Sequence, residues 1–373
     1  MLSREELKEI AKMYGEDVFF VSLYLNVCPV INVKSDYAIH LKNMLKQTSE
    51  KLDKNILKKI NGDLARIESY ILTNKRLFKN GLVLISSQEK NFWKEFHLAI
   101  PVKNEIIVDN TPYIKPLLDI LDNYQRNALL LVGRDSGRLF MIHLGEIEEY
   151  AEIRTNDVPG RHKKGGWFAL SEKSYERHID YHVDLHLKDV LKKLEELLSL
   201  EYVGRLVIGG SEEAVTKLKS MLSYAIAEKI IGTFHAEMSA NSKEILEKVE
   251  PILHAFEKKK EDETIDELIA RVMKNENAVI GIDDVLNALQ EGRIMKLVVQ
   301  KDYKQHGFSC KKCGYLTSQE LSICPYCKGE MQKANYLIDF IAQKAVEQGA
   351  LVEVVSENKK LQKSGNIGAF LRF

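Results

Sequence analysis

The sequence predicts a mixed α/β chain of three domains. Three observations carry this reading. β-rich apolar runs alternate with long helical stretches, which implies layered α/β units. A pair of runs joined by Arg-Asp-Ser-Gly opens a new unit near residue 124, and a charge run at 257–263 (EKKKEDE) sets the last third apart. The predicted domains are 1–123, 124–260 and 261–373. A length of 373 residues agrees with two or three domains at ~100–200 residues each.

In order along the chain, FFVSLYLNV (19–27) reads as a core strand, followed by a helical stretch over 37–71 with a break expected near Asn61-Gly62. GLVLISS (81–87) and FHLAIPV (96–102) read as the next two strands. In the second unit, NALLLVG (127–133) and RLFMIHLG (138–145) read as a hairpin. A glycine-bearing loop at 155–167 precedes a long helix over 171–199. RLVIGG (205–210) leads into a helix capped by Ser211, and residues 229–238 suggest a further strand. The charge run reads as the solvated end of a helix. Beyond it come two helices, a strand (293–299), a cysteine cluster, a helix over 334–348 and two last strands, LVEVVS and AFLRF. No internal repeat or low-complexity tract is visible.

Lys plus Arg and Asp plus Glu both total 54, so the formal net charge is zero. That balance argues against a protein that coats duplex DNA and allows only local basic patches. No stretch approaches the ~20 apolar residues of a membrane helix, and the charged start MLSREELKEIAKMYGED lacks an apolar signal core. The expected location is the cytoplasm, with no membrane partner. Four of the five cysteines are clustered, which does not fit a secreted disulfide framework; Cys28 stands alone after a strand and is expected to be buried and inert.

Cys310, Cys313, Cys324 and Cys327 form C-x2-C, ten residues, then C-x2-C. Each pair can aim two sulfurs at one point, and four thiolates complete a tetrahedral zinc shell. Gly314 and Pro325 suit the tight turns this needs. One structural zinc per chain is expected, in a ribbon over 308–330. A filled shell leaves no position for catalytic water, so the ribbon implies stability or docking.

Residues 158–194 (VPGRHKKGGWFALSEKSYERHIDYHVDLHLKDVLKKL) hold a basic, glycine-bearing loop. Arg161, His162, Lys163 and Lys164 can meet phosphates, Gly165 and Gly166 permit close approach, and Trp167 can stack on a base. An ordinary exposed loop has the same composition. The order of basic residues, Gly-Gly, a tip residue and a long charged helix resembles the middle domain of the class-1 release factors of archaea and eukaryotes, and of the rescue factor Pelota. VSLYLNV, the segment 112–146, DVPGRHKKGGW and the ending GNIGAFLRF carry the same resemblance, and the chain is similar to the bacterial branch of that superfamily.

The resemblance implies a decoding-type first domain, a ribonuclease-H-like middle domain and a kink-turn-binding ribosomal-protein fold with an inserted zinc ribbon. It implies binding in the ribosomal A site against rRNA and peptidyl-tRNA, a translational GTPase docked on the last domain, and a monomer off the ribosome. In the family the tripeptide is Gly-Gly-Gln and its tip helps water attack the peptidyl-tRNA ester. Here Trp167 stands at the glutamine position, with one N–H donor and no acceptor. Two outcomes stay open: a termination or rescue factor that hydrolyses peptidyl-tRNA, and a non-catalytic occupant resembling hibernation factors. Asn32-Val33-Lys34-Ser35 is reminiscent of the family's Asn-Ile-Lys-Ser codon-reading element; a polar helix start with Ser35 as cap explains Asn32, Lys34 and Ser35 equally.

His178, His182 and His186 follow at four-residue intervals, and two such histidines can hold zinc. Without an HExxH pattern they read as a solvated or RNA-facing basic stripe, flanked by Arg177 and Lys188. The hairpin strands carry no carboxylates for Mg²⁺, which disfavours nuclease chemistry.

Overall fold

The structure, a computed structural model, describes residues 3–15, 17–29, 37–123, 126–154, 169–200 and 203–373. Its compact units are two: Met1–Asn123 together with Lys259–Phe373, and Tyr124–Lys258.

In the first unit the N-terminal segment builds one antiparallel sheet. Strands β1 (Phe20–Asn26), β2 (Gly81–Ser87), β3 (Phe92–Leu98) and β4 (Glu105–Asp109) lie in the order β3-β2-β1-β4. Alternation sends Val21, Leu23 and Leu25 to one face, where Ile60, Ile67 and Ile71 cover them. Helix α1 (Arg4–Ala11) precedes the sheet; α2 (Tyr37–Lys51) and α3 (Lys54–Thr73) supply the cover. The break between those two falls at 52–53, because Asp53 caps α3 by accepting from the Asn55 N–H at 2.9 Å. The expected break at Asn61-Gly62 is therefore corrected. Gly62 sits inside α3, where a side chain would run into Gln88, and next to it the buried Asp63 accepts from the Ser86 hydroxyl and the Gln88 N–H. β3 also begins and ends earlier than the expected 96–102: Pro101 has no N–H for a ladder, and β4 takes up the chain beyond it. Helix α4 (Lys115–Asn123) closes the segment.

The second unit holds a five-stranded sheet of β5 (Asn127–Val132), β6 (Ser136–His143), β7 (Glu146–Arg154), β8 (Arg205–Gly210) and β9 (Ile230–His235). Its order is β7-β6-β5-β8-β9, with β5, β8 and β9 parallel and the β5-β6-β7 meander antiparallel. Helices α5 (Ala169–Leu200) and α6 (Glu212–Met221) cover one face through Val183, Leu187, Val190 and Leu194; α7 (Tyr224–Ala227) leads to β9. The other face packs Ile245 and Val249 of α8 (Ser242–Met273). Ser211 caps α6 as its sequence indicates, accepting from the Ala214 N–H.

The charge run 257–263 lies within α8, not at its end. Two of its carboxylates are engaged in shielded pairings: Glu257 binds the buried Arg205, and the buried Glu261 accepts from the N–H and hydroxyl of Ser356. Lys259 and Glu263 face each other one turn apart.

The C-terminal segment completes the first unit. After α8 come β10 (Ala278–Ile280), α9 (Ile282–Gln290) and β11 (Ile294–Gln300), then the ribbon strands β12 (Gly307–Cys310), β13 (Leu316–Thr317) and β14 (Met331–Ala334). They are followed by α10 (Leu337–Glu347), β15 (Leu351–Val355), α11 (Lys359–Lys363) and β16 (Ile367–Leu371). The main sheet runs β10-β16-β11-β15, with β11 and β15 parallel. Positive φ at Gly365 and Asn366 turns the chain into β16, a conformation that suits these residue types. The N-terminal segment packs on this one through α1 and α4 against α10 and β15. Gln343 of α10 donates to the buried carbonyl of Ala11 at 2.6 Å, and Lys115 of α4 lies 3.5 Å from Asp339.

Candidate functional site

The two C-x2-C turns face each other at the end of the ribbon. Cys310 and Cys327 sulfurs are 3.3 Å apart, Cys313 and Cys324 3.6 Å, and all four lie within 4.8 Å of one another. Four sulfurs ~2.3 Å from one tetrahedral ion stand about 3.8 Å apart, so the donor set fits a metal such as zinc. The turns are built alike. Gly314 N–H donates to the Cys310 carbonyl and Lys328 N–H to that of Cys324, both at 3.0 Å, and Gly314 and Lys328 have positive φ. Burial opposes ionisation of Cys310, yet backbone N–H groups of Cys313 and Lys312 aim at its sulfur and hold the thiol down to about 6. Cys324 is lowered in the same way by Cys327 and Tyr326. Burial pushes the Cys313 thiol the other way, up to about 12, so backbone N–H groups favour the thiolate at the first cysteine of each turn and not at Cys313. Among the described residues, this is the one cluster of three or more such donors close enough to share an ion.

The ribbon is tied to its own domain. Lys344 of α10 donates to the Gly314 carbonyl, Ser318 bonds Asp283 of α9, and Tyr315 packs on Tyr326 across the two turns with centroids 4.9 Å apart.

The glycine loop leaves the edge strand β7 and enters α5, whose Val183, Leu187, Val190, Leu194 and Leu197 are buried against the sheet. The helix is therefore anchored in a core from Val183 onward. Arg161, His162, Lys163, Lys164, Gly165, Gly166 and Trp167 lie outside the described residues, as do Asn32, Lys34 and Ser35.

The family model for bacterial archaeo-eukaryotic release factor family 10 matches residues 112–253, and that for eRF1 domain 3 matches residues 258–373. Peptide chain release factor subunit 1 of Methanocaldococcus jannaschii is 25% identical over 415 residues, covering 100% of this chain and 97% of that protein. The chain belongs to the archaeal and eukaryotic release factor superfamily. Peptide chain release factor subunit 1 of Methanopyrus kandleri is 22% identical over 326 residues, covering 84% of this chain and 78% of that protein. Among solved structures, this superfamily member is similar to the archaeal translation termination factor aRF1, with a TM-score of 0.29, 19% identity and coverage of 100% of this chain and 98% of that one. It is also similar to Archaeoglobus fulgidus Pelota, with a TM-score of 0.37, 18% identity and 79% of each chain covered.

Two sequence expectations for this release-factor relative need correction or addition. The three histidines do not form one solvated stripe. Four residues advance a helix by about 40° beyond a full turn, so the row winds around α5. His178 is exposed and His182 half-buried, but His186 is fully buried; burial lowers its pKa, opposed by a bond to the Ser136 backbone and by Asp135 and Asp189. The polar cluster at the seam of the first unit was not visible in the sequence. Lys115, Asp119, Lys301 and Asp339 pair across more than 180 positions, and no local pattern announces such partners.

Proposed function

We propose that this protein is a release-factor-like translation factor that binds the ribosomal A site and directs its glycine loop at the peptidyl-transferase centre, in termination, rescue or related quality control. The observation that carries the proposal is end-to-end similarity to a peptide chain release factor, including the segment that holds Gly165 and Gly166. The sheet order β7-β6-β5-β8-β9, with its antiparallel meander and parallel remainder, supports a ribonuclease-H-like middle domain. The match to eRF1 domain 3 supports a last domain of the kink-turn-binding fold that docks a translational GTPase. The division into 1–123, 124–260 and 261–373 follows from these readings, as do a cytoplasmic location and a monomer off the ribosome. The four cysteines hold one structural zinc.

Purified protein should co-sediment with ribosomes, and less so as salt rises, because phosphate contacts release counterions. Alanine at Arg161, Lys163 and Lys164 should weaken binding and flatten that salt dependence. Absence from the ribosome fraction at every salt, with or without GTPases present, would refute the proposal.

Trp167 supports a second reading, in which the protein occupies the site without hydrolysis. An indole offers one donor and no acceptor, so it cannot hold water as a glutamine amide does. The natural sequence should then release peptide from ribosome-bound peptidyl-tRNA slowly or not at all. Trp167→Gln should bind normally and can only gain release. Gly166→Ala should impair binding, because any Cβ restricts φ and crowds the RNA. Rapid release that vanishes in Trp167→Gln would overturn this reading.

A further inference from the structure

The first part of α5 carries a pair of groups that neither the ribbon nor the proposed function uses. His178 and His182 sit one turn apart, with ring centroids 4.5 Å apart and ring planes at 86°. Their Nε2 atoms approach to 3.2 Å. Two neutral imidazoles can meet this way only if one nitrogen donates its proton to the other, or if both lone pairs share a cation. Two nitrogens bound at ~2.0–2.1 Å to one tetrahedral ion stand about 3.3 Å apart. The helix thus already holds both donors at the spacing of a shared ion. Among the described residues, the two neighbouring carboxylates of this helix face a lysine instead: Lys217 lies 2.9 Å from Asp184 and 3.8 Å from Asp180. His186 is not a third donor, because it is fully buried against the sheet.

We infer that His178 and His182 form a second metal site, open to solvent, which takes a single divalent transition ion of the imidazole-preferring class, such as Zn²⁺ or Ni²⁺. Imidazole nitrogens favour these ions over Mg²⁺ and Ca²⁺, which want oxygen donors. Two protein ligands leave the remaining positions to water or to an oxygen donor from a partner, unlike the closed four-thiolate ribbon. The bound ion adds positive charge to the helix that follows the loop.

The test uses the full chain with its ribbon already zinc-loaded, titrated with Zn²⁺ alone by calorimetry and by histidine-ring NMR. One further zinc per chain should bind, moving the ring signals of His178 and His182. His178→Ala and His182→Ala should each weaken that event by roughly tenfold or more, while leaving the ribbon zinc in place. Both positions lie on the solvent side of α5, so the variants keep the core of the domain. Saturation at the ribbon zinc alone, or equal affinity in either variant, would overturn the inference. The measurement needs no ribosome, so its outcome is independent of the translational reading.

Discussion

Gly210 ends β8 with φ at 138°, opposite Val132 of β5. A Cβ there would stand inside the Val132 carbonyl oxygen. Strain of this kind costs ~1–3 kcal/mol, and forced overpacking a similar amount. Gly210→Ala should therefore lower the unfolding free energy of the middle unit by roughly 2–5 kcal/mol, read from the midpoint of urea unfolding; a loss under about 1 kcal/mol would show that the strand end relaxes freely. The sequence shows the Gly-Gly-Ser run as a strand-to-helix turn, and Ser211 as its cap, because both signals are local. It cannot show which of the two glycines is obligatory, since that depends on a carbonyl some eighty positions away. His186 teaches the same lesson. A four-residue spacing is legible, but the angle at which the core cuts across it is set by the sheet beneath.

At the scale of elements, strongly patterned strands were legible and boundaries governed by side-chain caps were less so. β1, β2, β5 and β8 are largely apolar runs buried along nearly their whole length. The break before α3 turns on one Asp53 hydrogen bond, which outweighs the glycine at 62. The ribbon was the most legible element, because the C-x2-C spacing that brings its four sulfurs together is written directly on the chain. Elemental analysis should find one zinc bound tightly by the four cysteines. Chelation, or Cys324→Ser, should loosen residues 307–334 in hydrogen exchange and leave the five-stranded sheet of the middle unit protected. That sheet has two cores of its own, and neither contains a ribbon residue. Equal loss of protection in both places would refute the independence of the ribbon. The glycine loop was legible as composition and resemblance alone, and its geometry lies outside the described residues.

At the scale of the molecule, the least legible feature is the seam between the two segments of the first unit. Asp109 and Asp339 are both pushed up to about 6, chiefly by burial. Asp339 adds repulsion to Asp109, whereas the Asn110 N–H opposes the rise there, and Lys115 opposes it at Asp339, with Glu105 and Lys304 also facing that carboxyl. A raised carboxyl binds its proton more tightly in the folded chain than in the unfolded one. The resulting stability is complete below about pH 4 and is lost as pH rises through about 6. Asp109→Asn removes one of these titrations. Between pH 4 and pH 7.5 the variant should lose less stability than the natural chain, by at most about 3 kcal/mol. Trp93 fluorescence in a Trp167→Phe background reports this unit directly. An unchanged pH slope would show that Asp109 ionises without cost.

That seam also has a consequence for biogenesis. Residues 1–123 find their packing partner in residues 259–373, from which residues 124–258 separate them in sequence. At roughly 5–20 residues per second, a translating ribosome takes about 7–27 s to travel from the end of one segment to the start of the other. Throughout that interval the faces of α1 and α4 that meet α10 and β15 in the finished protein lack those partners, and Ala11 and Lys115 wait for Gln343 and Asp339. The nascent chain must keep its first third soluble with that seam unpartnered until the last third emerges.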